Sequence, residues 1–309
     1  MTTNERFAHF DGQNVREDKI LKAITAGSAS QEGVLVGPGD DAAVLPPVAS
    51  PLVVSVDQCI ERLHFLPGTP LADIGAKAVR RAAGDLAAMA ASPVGLVATA
   101  FLPASMSHRE ALLLYKAIQE EAQRLECPLV GGDTCVQRRE SDSDIHLTVT
   151  VLGSTGQPVL RSGAKAGDRI FVTGPLGGSF ASGRHLRPPV RIPEALQLRS
   201  CLGDDLHAMI DISDGLGKDA MAIASASNVQ LVLESKLIPC QPESNWENAL
   251  RDGEDHELLF TVAAGADCST LPSEFVEIGR VGEGVPAVMV VDPEGLLIDG
   301  SDLGWNHGS

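Results

Sequence analysis

Aspartate recurs beside glycine or another small residue after apolar stretches: Gly39-Asp40-Asp41, Ser55-Val56-Asp57, Gly84-Asp85, Gly131-Gly132-Asp133 and Asp211-Ile212-Ser213-Asp214-Gly215. An apolar strand that ends in aspartate delivers a carboxylate to the rim of a sheet. A neighbouring glycine lets backbone approach a phosphate and offer its N–H. Hard cations such as Mg2+ take oxygen ligands, commonly one or two carboxylates with phosphate oxygens and water. Five such sites converging on one cleft would hold several Mg2+ ions and, through them, a nucleoside triphosphate. Any one Gly-Asp is also an ordinary turn; the signal is the repetition.

Two other motifs fail on inspection. Gly37-Pro38-Gly39-Asp40-Asp41-Ala42 fits a dinucleotide-binding template but sets two carboxylates where a pyrophosphate would lie. Gly217-Lys218 lacks the upstream glycine and the following Ser or Thr of a P-loop. ATP bound without a Walker lysine leaves metal ions to neutralise most of the phosphate charge.

The elements that must position these groups come from a chain of 309 residues, long enough for two domains. At 44% hydrophobic residues it has material for real cores, which excludes wholesale disorder. A net charge of −17, from 41 acidic against 24 basic residues, argues against nucleic acid or an anionic membrane as partner. Six scattered cysteines without a Cys-x-x-Cys pair read as reduced, mostly buried thiols. The polar start of the chain excludes a secretory apolar segment, and Ser92-Pro93 breaks the apolar run 86–102 into a helix end and a strand. The expectation is a cytoplasmic protein without a membrane span.

Periodicity predicts helices over 15–26, 70–91, 107–125, 193–202 and 214–227, the third with Ser107 as N-cap and Glu110 completing a capping box. Strands are expected at 42–45, 52–56, 95–101, 145–152, 169–173, 208–212, 230–234 and 257–262, with Leu129-Val130 leading into Gly131-Gly132-Asp133. The Gly-, Ser-, Thr- and Pro-rich stretch 153–167 marks a boundary. The expected architecture is therefore α+β in two domains, 1–153 and 154–309, without the strict alternation of a doubly wound sheet.

Several stretches, in order along residues 15–307, resemble thiamine-monophosphate kinases, of the superfamily shared with aminoimidazole ribonucleotide synthetase, selenophosphate synthetase and a hydrogenase maturation factor. They include Gly39-Asp40-Asp41-Ala42-Ala43-Val44-Leu45, Asp57 with His64-Phe65, Gly84-Asp85-Leu86-Ala87-Ala88-Met89 and Gly131-Gly132-Asp133-Thr134. Further along come Arg161-Ser162-Gly163-Ala164-Lys165-Ala166-Gly167-Asp168, Asp211-Ile212-Ser213-Asp214-Gly215-Leu216, Gly253-Glu254-Asp255-His256-Glu257 and Gly304-Trp305.

The resemblance implies an N-terminal α/β domain with a mixed sheet that pairs in a homodimer, a C-terminal α+β domain, and ATP with several Mg2+ ions between them. It implies Mg2+ ligands at Asp41, Asp57, Asp85, Asp133, Asp211 and Asp214, with Asp40 and Ser55 beside them. ATP contacts fall on Gly132, Asp133, Arg161 and Ser213, and the groups closest to the chemistry are Asp133, Asp214 and Arg161. His64, Glu254 and Trp305 fall on the thiamine monophosphate site, with Asp255 and Glu257 competing for the role of Glu254. An indole face suits the substrate's rings, and an anionic Glu suits a thiazolium. The chain departs from the family pattern at Val56, at 58–63, at Cys135 and at His256. The implied reaction is ATP-dependent phosphorylation of thiamine monophosphate to thiamine diphosphate. The alternatives are a related ATP-dependent enzyme with another small substrate, or a non-catalytic relative that binds ATP or thiamine diphosphate.

Overall fold

The computed structural model describes residues 33–37, 42–137 and 144–305. The expected helix 15–26 and the pair Asp40 and Asp41 lie outside the described residues. The chain divides into two compact units. One contains the described residues up to Pro47 with Val56–Val79 and Val94–Val151; the other contains Val48–Ser55, Arg80–Pro93 and the described residues from Leu152 on.

The first unit is built on a four-stranded sheet in the order β1-β4-β2-β3, from β1 (Leu52–Ile60), β2 (Ser92–Leu102), β3 (Leu129–Val136) and β4 (His146–Ser154). Helix α1 (Leu71–Ala88) supplies small residues where elements meet; a Cβ on Gly75 would lie 2.7 Å from the Ala117 Cβ of α2 (His108–Arg124). Helix α2 starts on the predicted capping box, Ser107 accepting from the Glu110 N–H and Glu110 accepting from the Ser107 N–H. Strand β3 runs parallel to β2, with Gly132 opposite Ala98 and Asp133 opposite Thr99.

Three sequence expectations change here. Asp57 and Asp133 lie within strands, not at their ends, because Gln58-Cys59-Ile60 and Thr134-Cys135-Val136 continue the extended chain. The strand expected at 42–45 is only a bridge between Val36 and Val44, since Pro46 and Pro47 have no N–H with which to extend a ladder. All six cysteines are free, but only Cys59 and Cys127 are buried, and burial raises the Cys127 thiol to about 12. Cys135 is exposed on edge strand β3.

The second unit carries a seven-stranded mixed sheet in the order β11-β10-β7-β9-β5-β8-β6. Its strands are β5 (Arg169–Val172), β6 (Leu206–Asp211), β7 (Gln230–Glu234), β8 (Leu258–Val262), β9 (Val276–Gly282), β10 (Ala287–Val291) and β11 (Leu297–Asp299). Only β7 and β10 pair in parallel. Its helices are α3 (Ser179–Ser182), α4 (Ile192–Leu202), α5 (Leu216–Ser227) and α6 (Trp246–Arg251). Leu216, Ala220, Ile223 and Ala224 form the helically spaced stripe by which α5 joins the core with Ile210, Leu231, Leu233, Leu259, Val288 and Val290. Strands β9 to β11 went unread in the sequence. Gly279 interrupts the apolar pattern of β9, and the sheet requires it, because a Cβ there would lie 2.1 Å from the Val232 carbonyl oxygen. Among the described residues, no helix is long and apolar enough to cross a membrane.

A buried ionic network supports the end of this sheet. Glu257, fully buried, accepts from Arg184 Nη2 (2.6 Å), Arg191 Nε (2.8 Å), Arg191 Nη2 (3.0 Å) and the Thr173 hydroxyl (2.6 Å). Asp255, also buried, accepts from the Gly177 N–H (2.8 Å), the Ser179 hydroxyl (2.5 Å) and Arg184 Nη1 (3.2 Å). Burial raises the Asp255 carboxyl to about 6 even though these three donors work in the opposite direction. Removing one partner of such a network leaves uncompensated charge in the interior. Glu257→Ala should therefore cost about 3–5 kcal/mol of stability, read as a lower urea midpoint at unchanged slope.

Candidate active site

The sheet of the second unit delivers the most chemically loaded segment. Strand β6 ends at Asp211, paired with Leu258 of β8, and the pairing continues beyond both strands. Ile212 N–H donates to the Glu257 carbonyl, His256 N–H to the Ile212 carbonyl and Glu254 N–H to the Ser213 carbonyl, each at 2.7 Å. This ladder sets Asp211-Ile212-Ser213-Asp214 beside Glu254-Asp255-His256. Glu254 and His256 both have positive φ, 68° and 52°, a conformation that costs about 1–3 kcal/mol at a non-glycine residue and concentrates at functional turns. Glycines make the approach possible: a Cβ on Gly253 would lie 2.6 Å from the Ser213 carbonyl, and one on Gly215 would lie 2.7 Å from the Leu250 carbonyl.

The charges on this rim alternate. His256, fully buried, sets Nδ1 3.5 Å from Asp211 Oδ2 and Nε2 3.6 Å from Glu254 Oε2, ion-pair distances longer than hydrogen bonds. Burial alone works against the imidazolium, but the Asp211 and Glu254 carboxylates outweigh it and raise the ring to about 9. Arg81 of α1 closes on the other Glu254 oxygen at 2.5 Å. Asp219, on the first turns of α5, accepts the backbone N–H groups of Ser213 and Asp214 through one oxygen, both at 2.9 Å. Its carboxyl is raised to about 7, first by burial and then by the charges of Asp211 and Asp214. Asp214 is itself paired with Lys218. Sequence reading missed Asp219, Arg81 and Lys218. The spacing of Asp219 from Asp214, five residues into an amphipathic helix, was visible but had no assigned role.

The remaining site residues fall as follows. In the second unit, the Ser55 hydroxyl donates to Asp85 Oδ2, and the neighbouring Gly84 faces Asp211, a Cβ there lying 3.4 Å from Asp211 Oδ2. Exposed Arg161 is held by its backbone, its carbonyl accepting from the Ser227 hydroxyl at 3.0 Å, and that hydroxyl accepts from the Gly163 and Ala164 N–H groups. Trp305 is exposed at the end of the described chain. Of the acidic residues competing for one role, Asp255 and Glu257 are fully buried and engaged, whereas Glu254 keeps a partly exposed side chain.

In the first unit, Asp57 and Asp133 stand on the two edge strands of the sheet, β1 and β3. Gly132 lets β3 approach β2 closely, a Cβ there falling 1.9 Å from the Ala98 carbonyl oxygen. His64 is buried and its Nδ1 accepts from the Ile60 N–H at 2.9 Å. Among the described residues, no three His, Cys, Asp or Glu side chains are gathered closely enough to enclose an ion. The donors of the Asp211–Asp219 loop are nonetheless hard oxygens, with Asp211, Asp214 and Asp219 within nine residues.

Residues 39–155 match the family AIR synthase related protein, N-terminal domain. A thiamine-monophosphate kinase of Rhodopirellula baltica is 37% identical over 293 residues, covering 89% of this chain and 88% of that protein. Among solved structures, the thiamine-monophosphate kinase from Stenotrophomonas maltophilia K279a superposes with a TM-score of 0.75 at 29% identity, covering 93% of this chain and 100% of the other. AaThiL complexed with AMPPCP and TMP gives 0.74 at 28% identity, covering 94% and 96%. With its aspartate motifs in order and such relatives matched over nearly their whole length, this chain belongs to the thiamine-monophosphate kinase family.

Proposed function

We propose that this protein transfers the γ-phosphoryl group of ATP to the phosphate of thiamine monophosphate, giving thiamine diphosphate and ADP. The observation that carries the reading is the likeness, over almost the whole of both chains, to AaThiL complexed with AMPPCP and TMP. AMPPCP is a methylene analogue of ATP, and TMP is read as thiamine monophosphate. The cofactors are ATP, as co-substrate, and several Mg2+ ions.

In this reading an oxygen of the acceptor phosphate bonds to the γ-phosphorus in line as the bond to ADP breaks. A phosphate monoester has a second pKa of about 6, so the nucleophile is already ionised at neutral pH and no general base is required. Catalysis then rests on positioning and on neutralising charge. Arg161 is suited to fork onto phosphate oxygens, with Gly132 and Ser213 lining the nucleotide. Asp211 and Asp214, with Asp40, Asp41, Ser55, Asp57, Asp85 and Asp133, are the proposed metal-binding set, and the gathering of Asp211, Asp214 and Asp219 within nine residues supports a cation there. Bound Mg2+ would shield the polyphosphate from these carboxylates and hold it in a reactive geometry. Glu254, His64 and Trp305 are assigned to the thiamine moiety.

We also assign nucleotide binding and dimerisation to residues 1–153 and completion of the site to 154–309. A homodimer is supported by β1, whose apolar Leu52, Val54 and Val56 are the exposed alternate residues while Ser55 and Asp57 face the less exposed side. Such an unpartnered apolar face suits a second copy of the chain. The proposed location is the cytoplasm.

Incubation with Mg·ATP and thiamine monophosphate, assayed for thiamine diphosphate and ADP, tests the reading; ATP consumption without thiamine diphosphate would overturn it. Asp214→Asn and Asp133→Asn should each lower kcat by about a hundredfold or more at unchanged unfolding midpoint. Near-normal turnover in both at limiting Mg2+ would remove the metal assignment. The rate should be level above pH 7 and fall below about pH 6, as the acceptor phosphate takes up its proton. A rise in kcat from pH 7 to 9 would instead point to a titrating group of the protein, with Asp219 and His256 the first to be substituted.

A further inference from the structure

The Gly217-Lys218 pair lacks the context of a P-loop, and its surroundings indicate another task. Lys218 lies in the first turn of α5, where the partial positive charge of the helix end disfavours a cation. Its ammonium donates to Asp214 Oδ2 at 2.6 Å and to the backbone carbonyl of Trp305 at 2.7 Å. The Trp305 N–H in turn donates to the Asp214 carbonyl at 2.8 Å. Two glycines bring the strands of chain together: a Cβ on Gly304 would lie 2.6 Å from the Lys218 Cβ, and one on Gly217 would lie 2.5 Å from the Leu303 carbonyl. Leu303 packs against the core of the same unit, while the Trp305 side chain is 53% exposed.

We propose that Lys218 is a positioning residue that fastens the segment bearing Trp305 to the Asp214 loop and thereby sets the affinity for the aromatic acceptor substrate. The substrate half of this inference rests on the reading of Trp305 as a thiamine contact; the fastening does not. One ammonium satisfies two acceptors, a proposed metal-ligand carboxylate and the backbone of the indole-bearing residue. The helix end tolerates the cation because both acceptors compensate it. Arginine keeps a charged donor at this position, whereas methionine keeps the stem and loses the charge.

The test compares the protein with Lys218→Met and Lys218→Arg. Steady-state kinetics should show KM for thiamine monophosphate raised about tenfold in Lys218→Met, the scale of one charged hydrogen bond. The rise in KM should be larger for thiamine monophosphate than for ATP, and Lys218→Arg should recover most of the loss. An unchanged KM for thiamine monophosphate, or an equal rise for both substrates, overturns the substrate role. A second readout needs no turnover. In a Trp246→Phe background Trp305 is the sole indole, and acrylamide should quench it more efficiently in Lys218→Met than in the parent. Identical quenching overturns the fastening itself. If the parent protein forms no thiamine diphosphate, the kinase reading fails and the substrate role with it, while quenching still decides the fastening.

Discussion

Mutual repulsion among carboxylates is the constraint around which the rim of the second unit is organised. Asp211, Asp214 and Asp219 occur within nine residues, and Glu254 is brought beside them by the ladder that continues β6 and β8. Left uncompensated, such a group would protonate or push the loop apart. Each carboxylate has instead a partner: His256 for Asp211, Lys218 for Asp214, Arg81 with the shared His256 for Glu254, and two backbone N–H groups for Asp219. Asp219 accepts from neutral donors, and burial, followed by the charges of Asp211 and Asp214, raises its carboxyl to about 7. The loop is thus held by the same charges that make it suited to a cation.

The scaffold beneath has to bring these groups close without bulk. Aromatic residues make up only 4% of the chain while glycine numbers 31, and the consequence appears where backbones meet. Gly84 faces Asp211, Gly253 lies against Ser213, Gly215 turns into α5, and Gly217 and Gly304 admit the tail. Below the rim, Glu257 and Asp255 are locked by Arg184, Arg191, Thr173, Ser179 and the Gly177 N–H. Buried ionic networks add little net stability over apolar packing, but they penalise any displacement heavily. That stiffness suits a segment carrying two residues of positive φ.

Much of the fold was legible locally. The Ser107–Glu110 capping box, helix α1 and strand β7 follow from caps, helical spacing and β-branched runs. The errors have physical causes. Aspartate was read as a strand end, yet an exposed or half-exposed position inside β1 or β3 costs a carboxylate little. The glycine-interrupted β9 was missed because its pattern is shaped by backbone contact with β7 and not by side-chain burial. Within the site, Glu254, Asp255 and Glu257 share one motif and one chemistry, and nothing in their order separates them. Burial does: two are fully engaged in the interior and one keeps an exposed face.

The sequence by itself determined the inventory. It specified which carboxylates, glycines and cations are present, the family they resemble, and the local elements whose signals lie within a turn or two of chain. It also carried Lys218 and Asp219, but without a role, because a lone lysine or aspartate on a helix has no meaning until its partners are known. Tertiary structure alone decided those partners: Trp305 is 87 residues from Lys218, and Glu254 is 173 from Arg81. Spacing rules reach only as far as the period of a helix or strand. Contacts across such separations are set by how whole elements pack, and it is packing that gave each charge its counterpart.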